Sequence, residues 1–220
     1  MATAGNVDRP KVDKVDRVDR VDKVDKVEER RRELADAALQ TLSALGYART
    51  SLREIAQNSA FSHGVLHYYF RDKVDLITYC VRRYKAVCVQ RYDQIVATAR
   101  TPEGLAQGFA DGLVATLVAD AHMHRLWYDL RSQALFEDSF RADVLEIDST
   151  LERMIWRIVS RYAELTGSPV LTGESMTYAM FDGLFQQALL RHLAGQEGAE
   201  VRLHASVRRL IDQVVPATSR

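Results

Sequence analysis

The sequence predicts an all-α chain: an N-terminal three-helix head containing a helix-turn-helix, followed by a larger helical body. Three observations lead there. Apolar residues recur at i, i+3 and i+4 in segment after segment from Leu34 to Val214. Helix starts and stops separate those segments, with Thr101-Pro102-Glu103 as a start and Gly46 as a stop. Residues Thr50 to Lys73 place two short helical patterns around one tight turn, at helix-turn-helix spacing.

The 220 residues, 47% hydrophobic and 27% charged, suffice for a buried core and exclude a chain disordered throughout. Net charge is zero, so any affinity for nucleic acid must come from local charge. From Arg49 to Lys73 the basic residues Arg49, Arg53, Arg71 and Lys73 outnumber the acidic Glu54 and Asp72, and Arg30, Arg31 and Arg32 lie just upstream. The N-terminus has no apolar signal-like run, and the longest apolar stretches are cut short by charges, so no membrane association is expected and the cytoplasm is the expected location. Cys80 and Cys88 stand about 12 Å apart on one predicted helix, too far to bridge within it, and read as reduced, packed thiols.

Taken in order, residues 1–27 are expected to form a flexible arm. From Val12 to Val27 the tripeptide Val-Asp-Lys/Arg repeats. A period of three spirals around a helix without forming a stripe, and neither Val nor Asp favours helix. The arm reads either as a basic segment tracking phosphates or as a solvated tail, because each Lys or Arg follows an Asp that cancels it. From about Glu28 a helix begins, with Leu34, Ala35, Ala38, Leu39, Leu42 and Leu45 on its apolar face and Gly46 as its stop.

Ser51-Leu52-Arg53-Glu54 is a capping box opening a short helix that buries Leu52, Ile55 and Ala56. After Asn58-Ser59-Ala60-Phe61, Ser62 can cap a second helix carrying Val65, Leu66, Tyr69 and Phe70. In such a motif the second helix lies in the major groove with its N-terminal residues at the base edges. Arg53, His63, Gly64 and Val65 are therefore the base-edge candidates. Thr50, Ser51, His67, Tyr69 and Lys73 are the phosphate candidates, and Tyr68 suits either role.

This stretch resembles the N-terminal domain of TetR-family bacterial transcriptional regulators at Thr50, Ile55, Ala56, Ser62, Gly64, Leu66, Tyr69, Phe70, Lys73 and Leu76. It departs at Ser59-Ala60-Phe61, where the family has Ala-Gly-Val, and at His67, where the family has Tyr. The first departure predicts a strained turn, with Ala60 at a positive φ that suits glycine, so that Ala60→Gly is neutral or stabilising. The resemblance implies a head at residues 28–76, a ligand-binding and dimerisation body at 77–220, and a ligand-responsive regulator, most often a repressor. Such a regulator binds a double-stranded, pseudo-palindromic operator as a homodimer and is released by a small molecule.

In the body, a long helix from Leu76 to about Ala99, capped by Asp72, would join the head to the rest. The next helix, opened by Thr101, carries Gly104, Gly108 and Gly112 on one face, which reads as close helix approach or as room for a ligand. From about His122 to Phe136, His124, Trp127, Tyr128 and Arg131 share a face, which could be a pocket wall or a core Trp with solvated edges. Val144 to Leu165 buries Leu151, Met154, Ile155, Ile158 and Tyr162, leaving Trp156 off the stripe.

The last pair is predicted at Glu174 to Leu193 and Val201 to Val215, and the apolar face of the first is too wide for one contact. Under the resemblance, Phe109, Met154 and Phe181 join His124, Trp127, Tyr128 and Arg131 as ligand candidates. Met180, Leu184, Phe185, Leu189, Val207, Leu210, Ile211 and Val214 become the candidate dimer interface, against the reading of a fully internal helix. No phosphate loop, metal-ligand spacing or catalytic triad stands out, so no cofactor or metal is expected. A helical enzyme and a non-specific DNA binder are the alternative classes.

Overall fold

The computed structural model describes residues 12–46 and 50–216, and all regular structure among them is helical. The helices are α1 (Val12–Leu45), α2 (Leu52–Gln57), α3 (His63–Tyr69), α4 (Lys73–Thr98), α5 (Pro102–Ala119), α6 (Ala121–Gln133), α7 (Arg141–Thr166), α8 (Glu174–Leu193) and α9 (Ala199–Val214). A single 3-10 turn, Asp138–Phe140, precedes α7.

The first correction concerns the arm. Residues 1–11 lie outside the described residues, but α1 runs unbroken through the repeat from Val12. The repeat sets an acid four residues before a base at Asp13 and Arg17, Asp16 and Arg20, Asp19 and Lys23, and Asp22 and Lys26, the order that supports a helix. Helix propagation onto an existing nucleus is also far cheaper than nucleation, and the packed half of α1 supplies that nucleus. Low propensity alone therefore underestimates this segment.

In the head, Leu34, Ala35, Ala38 and Leu42 of α1 are buried against Leu52 and Ile55 of α2, Leu66 of α3, and Phe70. The first turns of α4 close the same core through Leu76, Ile77, Cys80 and Val81. Both thiols are buried and free, and burial pushes the Cys80 thiol upward. Gly46 stops α1 in the left-handed region, φ 75°. The Ser51 capping box forms in full, and Ser62 Oγ accepts from Val65 N at 3.3 Å. Arg31 staples the head together: its guanidinium lies 4.8 Å from the Phe70 ring centroid and 4.7 Å from that of Tyr79, and Nη2 reaches Asp75 Oδ1 at 3.5 Å. Tyr79 in turn donates to Glu28 Oε1 at 2.6 Å, and Arg30 lies over Phe61 at 4.8 Å. Two of the three upstream arginines thus hold the head in place.

The strained turn is not found. No described non-glycine residue, Ala60 included, has positive φ. Polar side chains close the turn instead: Asn58 Nδ2 donates to Glu54 O at 2.8 Å, and Ser59 Oγ accepts from Phe61 N at 3.3 Å. Thr50 also differs from expectation. It is 3% exposed, and its hydroxyl donates to Gly46 O at 2.6 Å, which ties the end of α1 to the start of α2 and leaves no side-chain surface for a phosphate.

Asp72 caps α4 by accepting from Asp75 N at 2.8 Å, and Thr101 caps α5 by accepting from Gly104 N at 3.1 Å. Two of the three α5 glycines mark close helix approach: a Cβ at Gly108 would meet Ile95 at 3.2 Å, and one at Gly112 would meet Tyr92 at 3.1 Å. At Gly104 the neighbour is its own cap, Thr101 Oγ1, at 3.0 Å. α5 therefore sits pressed on α4, with α7, α8 and α9 around it. Trp156 stays half-buried on α7.

Two outcomes follow. Ala60→Gly lowers stability by about 0.4–1 kcal/mol in a denaturant titration, since the turn gains nothing and the unfolded chain gains freedom; a neutral or stabilised variant would restore the strained turn. Thr50→Val costs about 1 kcal/mol through the lost hydrogen bond, while DNA affinity of the folded protein changes less than twofold in a gel-shift titration.

Candidate DNA-reading head and body cavity

Helix α3 buries Leu66 and, just beyond its end, Phe70, which turns the opposite side to solvent. His63, Gly64, His67 and Tyr68 are exposed there, Val65 and Tyr69 are half-buried, and Ser51 and Arg53 are exposed on the neighbouring α2 segment. Tyr68 is 79% exposed and rests edge-on against Tyr69, with ring centroids 4.9 Å apart. His63 and His67 hydrogen-bond through their Nε2 atoms at 3.1 Å, so one ring carries the shared proton and the other accepts it. The two rings, assigned to separate roles from the sequence, form one unit.

Gly64 is informative because nothing in the chain needs it. A Cβ there would meet nothing within 4 Å, and its φ is not positive. Glycine inside a helix costs about 1 kcal/mol relative to alanine, and the open space around Gly64 suits close approach by a molecule outside the protomer. Lys73 begins α4 and is half-buried at the edge of the same surface.

In the body, His124, Trp127, Tyr128, Met154 and Phe181 line one cavity of about 60 Å³ between α4, α5, α6, α7 and α8. Phe109 does not. It is fully buried behind the wall, with its ring 5.4 Å from Phe181 and 5.8 Å from Tyr92. Arg131 is also outside the lining, because Asp182 Oδ2 at 2.6 Å and Asp148 Oδ1 at 3.5 Å hold it. Tyr128 donates to Asp182 Oδ1 at 2.9 Å and Tyr178 to Asp148 Oδ1 at 2.6 Å, and burial, then Asp182, pushes both phenols upward.

Sequence reasoning missed Lys85, Asp182 and Tyr178, and gave Phe185 to the dimer interface; all four line the cavity. The signal for Lys85 was a cation in the buried stripe Val81, Lys85, Cys88, Tyr92. Its Nζ is 3.2 Å from His124 Nδ1, and His124 Nε2 is 2.9 Å from the Tyr84 hydroxyl. Burial lowers Lys85 to about 8, while burial and then the neighbouring ammonium lower His124 to about 2, so the imidazole is neutral.

The expected dimer residues need correction. Phe185, Leu189, Val207, Leu210, Ile211 and Val214 are buried within one chain, used up where α8 and α9 pack on each other and on α5. Met180 and Leu184 are half-buried, and Leu210, though 8% exposed, lines the surface groove beside them. Surface-facing apolar residues on these helices are instead Met176, Leu190, Leu193 and Val201, and a groove of about 300 Å³ between α8 and α9 is lined by Met180, Leu184, Ser206 and Arg209. Periodicity marks an apolar stripe without saying which neighbour covers it.

Among the described residues no group of His, Cys, Asp and Glu could hold a metal, and no helix is long and apolar enough to cross a membrane. The family described as bacterial regulatory proteins, tetR family, matches residues 34–80. The HTH-type transcriptional regulator BetI of Escherichia coli K12 is 25% identical over 194 residues, 85% of this chain and 94% of its own. Among solved structures, a transcriptional regulator from Saccharomonospora viridis in complex with choline has TM-score 0.70 and 16% identity, with 86% of this chain and 98% of that one covered. The regulator FadR from Bacillus subtilis in complex with stearoyl-CoA has TM-score 0.63 and 18% identity, with 82% and 96% covered. The motif residues on α2, α3 and the start of α4 fall inside the segment that matches the tetR family, and the all-α body follows the fold of these solved regulators.

Proposed function

We propose that this protein is a cytoplasmic, non-catalytic repressor that binds a pseudo-palindromic operator as a homodimer and is released when a small molecule enters the body cavity. The observation that carries this reading is the path of α4. Three residues separate its start from the end of the exposed helix α3; it packs its first turns into the head and lines the cavity further on with Lys85, Cys88 and Tyr92. The regulators from Saccharomonospora viridis and Bacillus subtilis, each solved with a small molecule bound, support a ligand-responsive body.

On this reading residues 28–76 are the DNA-binding unit and residues 77–220 the ligand and dimer unit. His63, Gly64, Val65 and Arg53 approach base edges, and Ser51, His67, Tyr69 and Lys73 serve phosphates, with Tyr68 available to both. Two heads about 34–36 Å apart would enter successive major grooves. At about 60 Å³ the cavity has room for roughly two waters, so an effector must part its walls. That displaces α4, and also α6, whose Asp129 Oδ2 lies 3.3 Å from where a Cβ on Gly46 would stand, at the end of α1. The shift is limited by the effector's differential affinity for the two states.

Selecting binding sites from a random duplex pool with the full chain tests the reading: one enriched inverted repeat is expected, and a pool with no preferred sequence would end it. On the selected duplex, Lys73→Ala weakens binding to all sequences alike, whereas His63→Ala relaxes preference at one position at a cost of about 1–3 kcal/mol. Dimerisation through the outer faces of α8 and α9 predicts that Leu190→Glu, at a side chain 71% exposed, leaves the melting temperature near wild type but converts dimer to monomer in sedimentation. An unchanged dimer would move the interface elsewhere.

A further inference from the structure

Lys85 is a buried ammonium that no carboxylate among the described residues contacts directly, although Asp182 lines the same cavity and Asp120 also favours its charge. It is 5% exposed, and its single hydrogen-bond partner among the described residues is His124. Among the described residues no carboxylate stands within ion-pair distance of Nζ. His124 accepts at Nδ1, so its own proton sits on Nε2, toward Tyr84, and the ring remains neutral. An ammonium has three N–H donors, which leaves two without a protein acceptor.

A second donor is in the same condition. Trp127, 1% exposed, lines the same cavity, and its Nε1 is buried with no hydrogen-bond partner. The Lys85 ammonium lies 5.6 Å from the Trp127 ring centroid. Unpaired buried donors are rare and costly, and two residues carrying them in the lining of one cavity point to an acceptor that arrives from outside.

At the other end of the cavity the polar groups are already satisfied. Arg131 bridges Asp182 and Asp148, and Tyr128 and Tyr178 donate to the same two carboxylates. Arg131 and Asp148 keep part of their surface in solvent, which screens the surplus negative charge there. Between the two ends, Leu113, Leu151, Met154 and Ile155 form an apolar wall.

We propose that the effector is an amphipathic carboxylate, its anion received by Lys85 Nζ and Trp127 Nε1 and its hydrocarbon lying along Leu151, Met154 and Ile155. This rests on the cavity being the effector site. The anion would complete a charge-assisted hydrogen bond in a dry setting, where such bonds are strongest. A quaternary ammonium, like the choline of the Saccharomonospora viridis regulator, would instead bring a second permanent cation against Lys85. The other ionisable groups facing Lys85 are Tyr84 and Cys88 on α4, Asp120 and Arg131 at the two ends of α6, and Asp182 on α8; none of them accepts from Nζ.

The test uses the full-length dimer with three probe series of matched chain length, butyl to dodecyl: alkanoates, alcohols and alkyltrimethylammonium salts. Binding is read by tryptophan fluorescence and thermal shift, and function by release of the selected duplex. The alkanoate is expected to bind at least about tenfold tighter than the matched alcohol, the size of one charge-assisted hydrogen bond. Lys85→Met, which replaces the ammonium with an apolar group of similar length, removes that advantage and leaves alcohol binding intact. Alkanoate affinity is level from about pH 6, where the carboxyl group is fully ionised, to about pH 8, and falls above that as Lys85 loses its proton, while alcohol affinity stays level. An alcohol or ammonium that matches the alkanoate, or a Lys85→Met protein that keeps the preference, overturns the carboxylate. If no probe of any charge binds, the effector-site reading falls with it.

Discussion

A single unbroken helix, α4, is the element on which the rest of the structure depends. Its first turns complete the head core through Leu76, Ile77, Cys80 and Val81, and its later turns form one wall of the body cavity. A helix holds its shape through consecutive i→i−4 hydrogen bonds, so α4 is a stiff connection between the cavity wall at Lys85 and Tyr92 and the turns beside α3. Arg31, layered between Phe70 and Tyr79 and reaching Asp75, joins α1 and α4 to the end of α3. Where α5 presses on α4, Gly108 and Gly112 seat the side chains of Ile95 and Tyr92 directly against the α5 backbone.

The buried polar groups divide by whether they are paired. Thr50 on Gly46 O and the Arg131, Asp182, Asp148, Tyr128 and Tyr178 network are satisfied, and they specify geometry. Lys85 and Trp127 are left with donors to spare in a wall that is otherwise largely apolar. Desolvating an ammonium is unfavourable unless something repays it, and selection for stability alone would place an apolar residue there. On the DNA side, Gly64 has the same character: a helix glycine with empty space around it makes sense only when another surface comes close.

Much of the fold was legible in the sequence because the helix signals are local. Ser51, Ser62, Asp72 and Thr101 cap helices as their spacing predicts, and Gly46 stops α1. Of the seven expected ligand residues, His124, Trp127, Tyr128, Met154 and Phe181 line the cavity; the first three share one face of α6, with mixed apolar and donor groups visible in a single segment. Lys85 was overlooked because a cation on a long helix reads as surface until its neighbours are known. The repeat from Val12 was read as an arm because propensity omits the nucleus that the packed half of α1 provides.

The sequence by itself determined the helices from Glu28 onward, their order and the reading motif from Thr50 to Lys73, because caps, turns and the 3.6-residue period act over a few residues. Only the tertiary structure decided which apolar faces remain open and which charges lie buried. Val207, Ile211 and Phe185 look like interface residues on a helical wheel, yet one chain covers them completely, while Leu190 and Met176 are left outside. Coverage and pairing belong to contacts between residues far apart in sequence, and no local pattern encodes them.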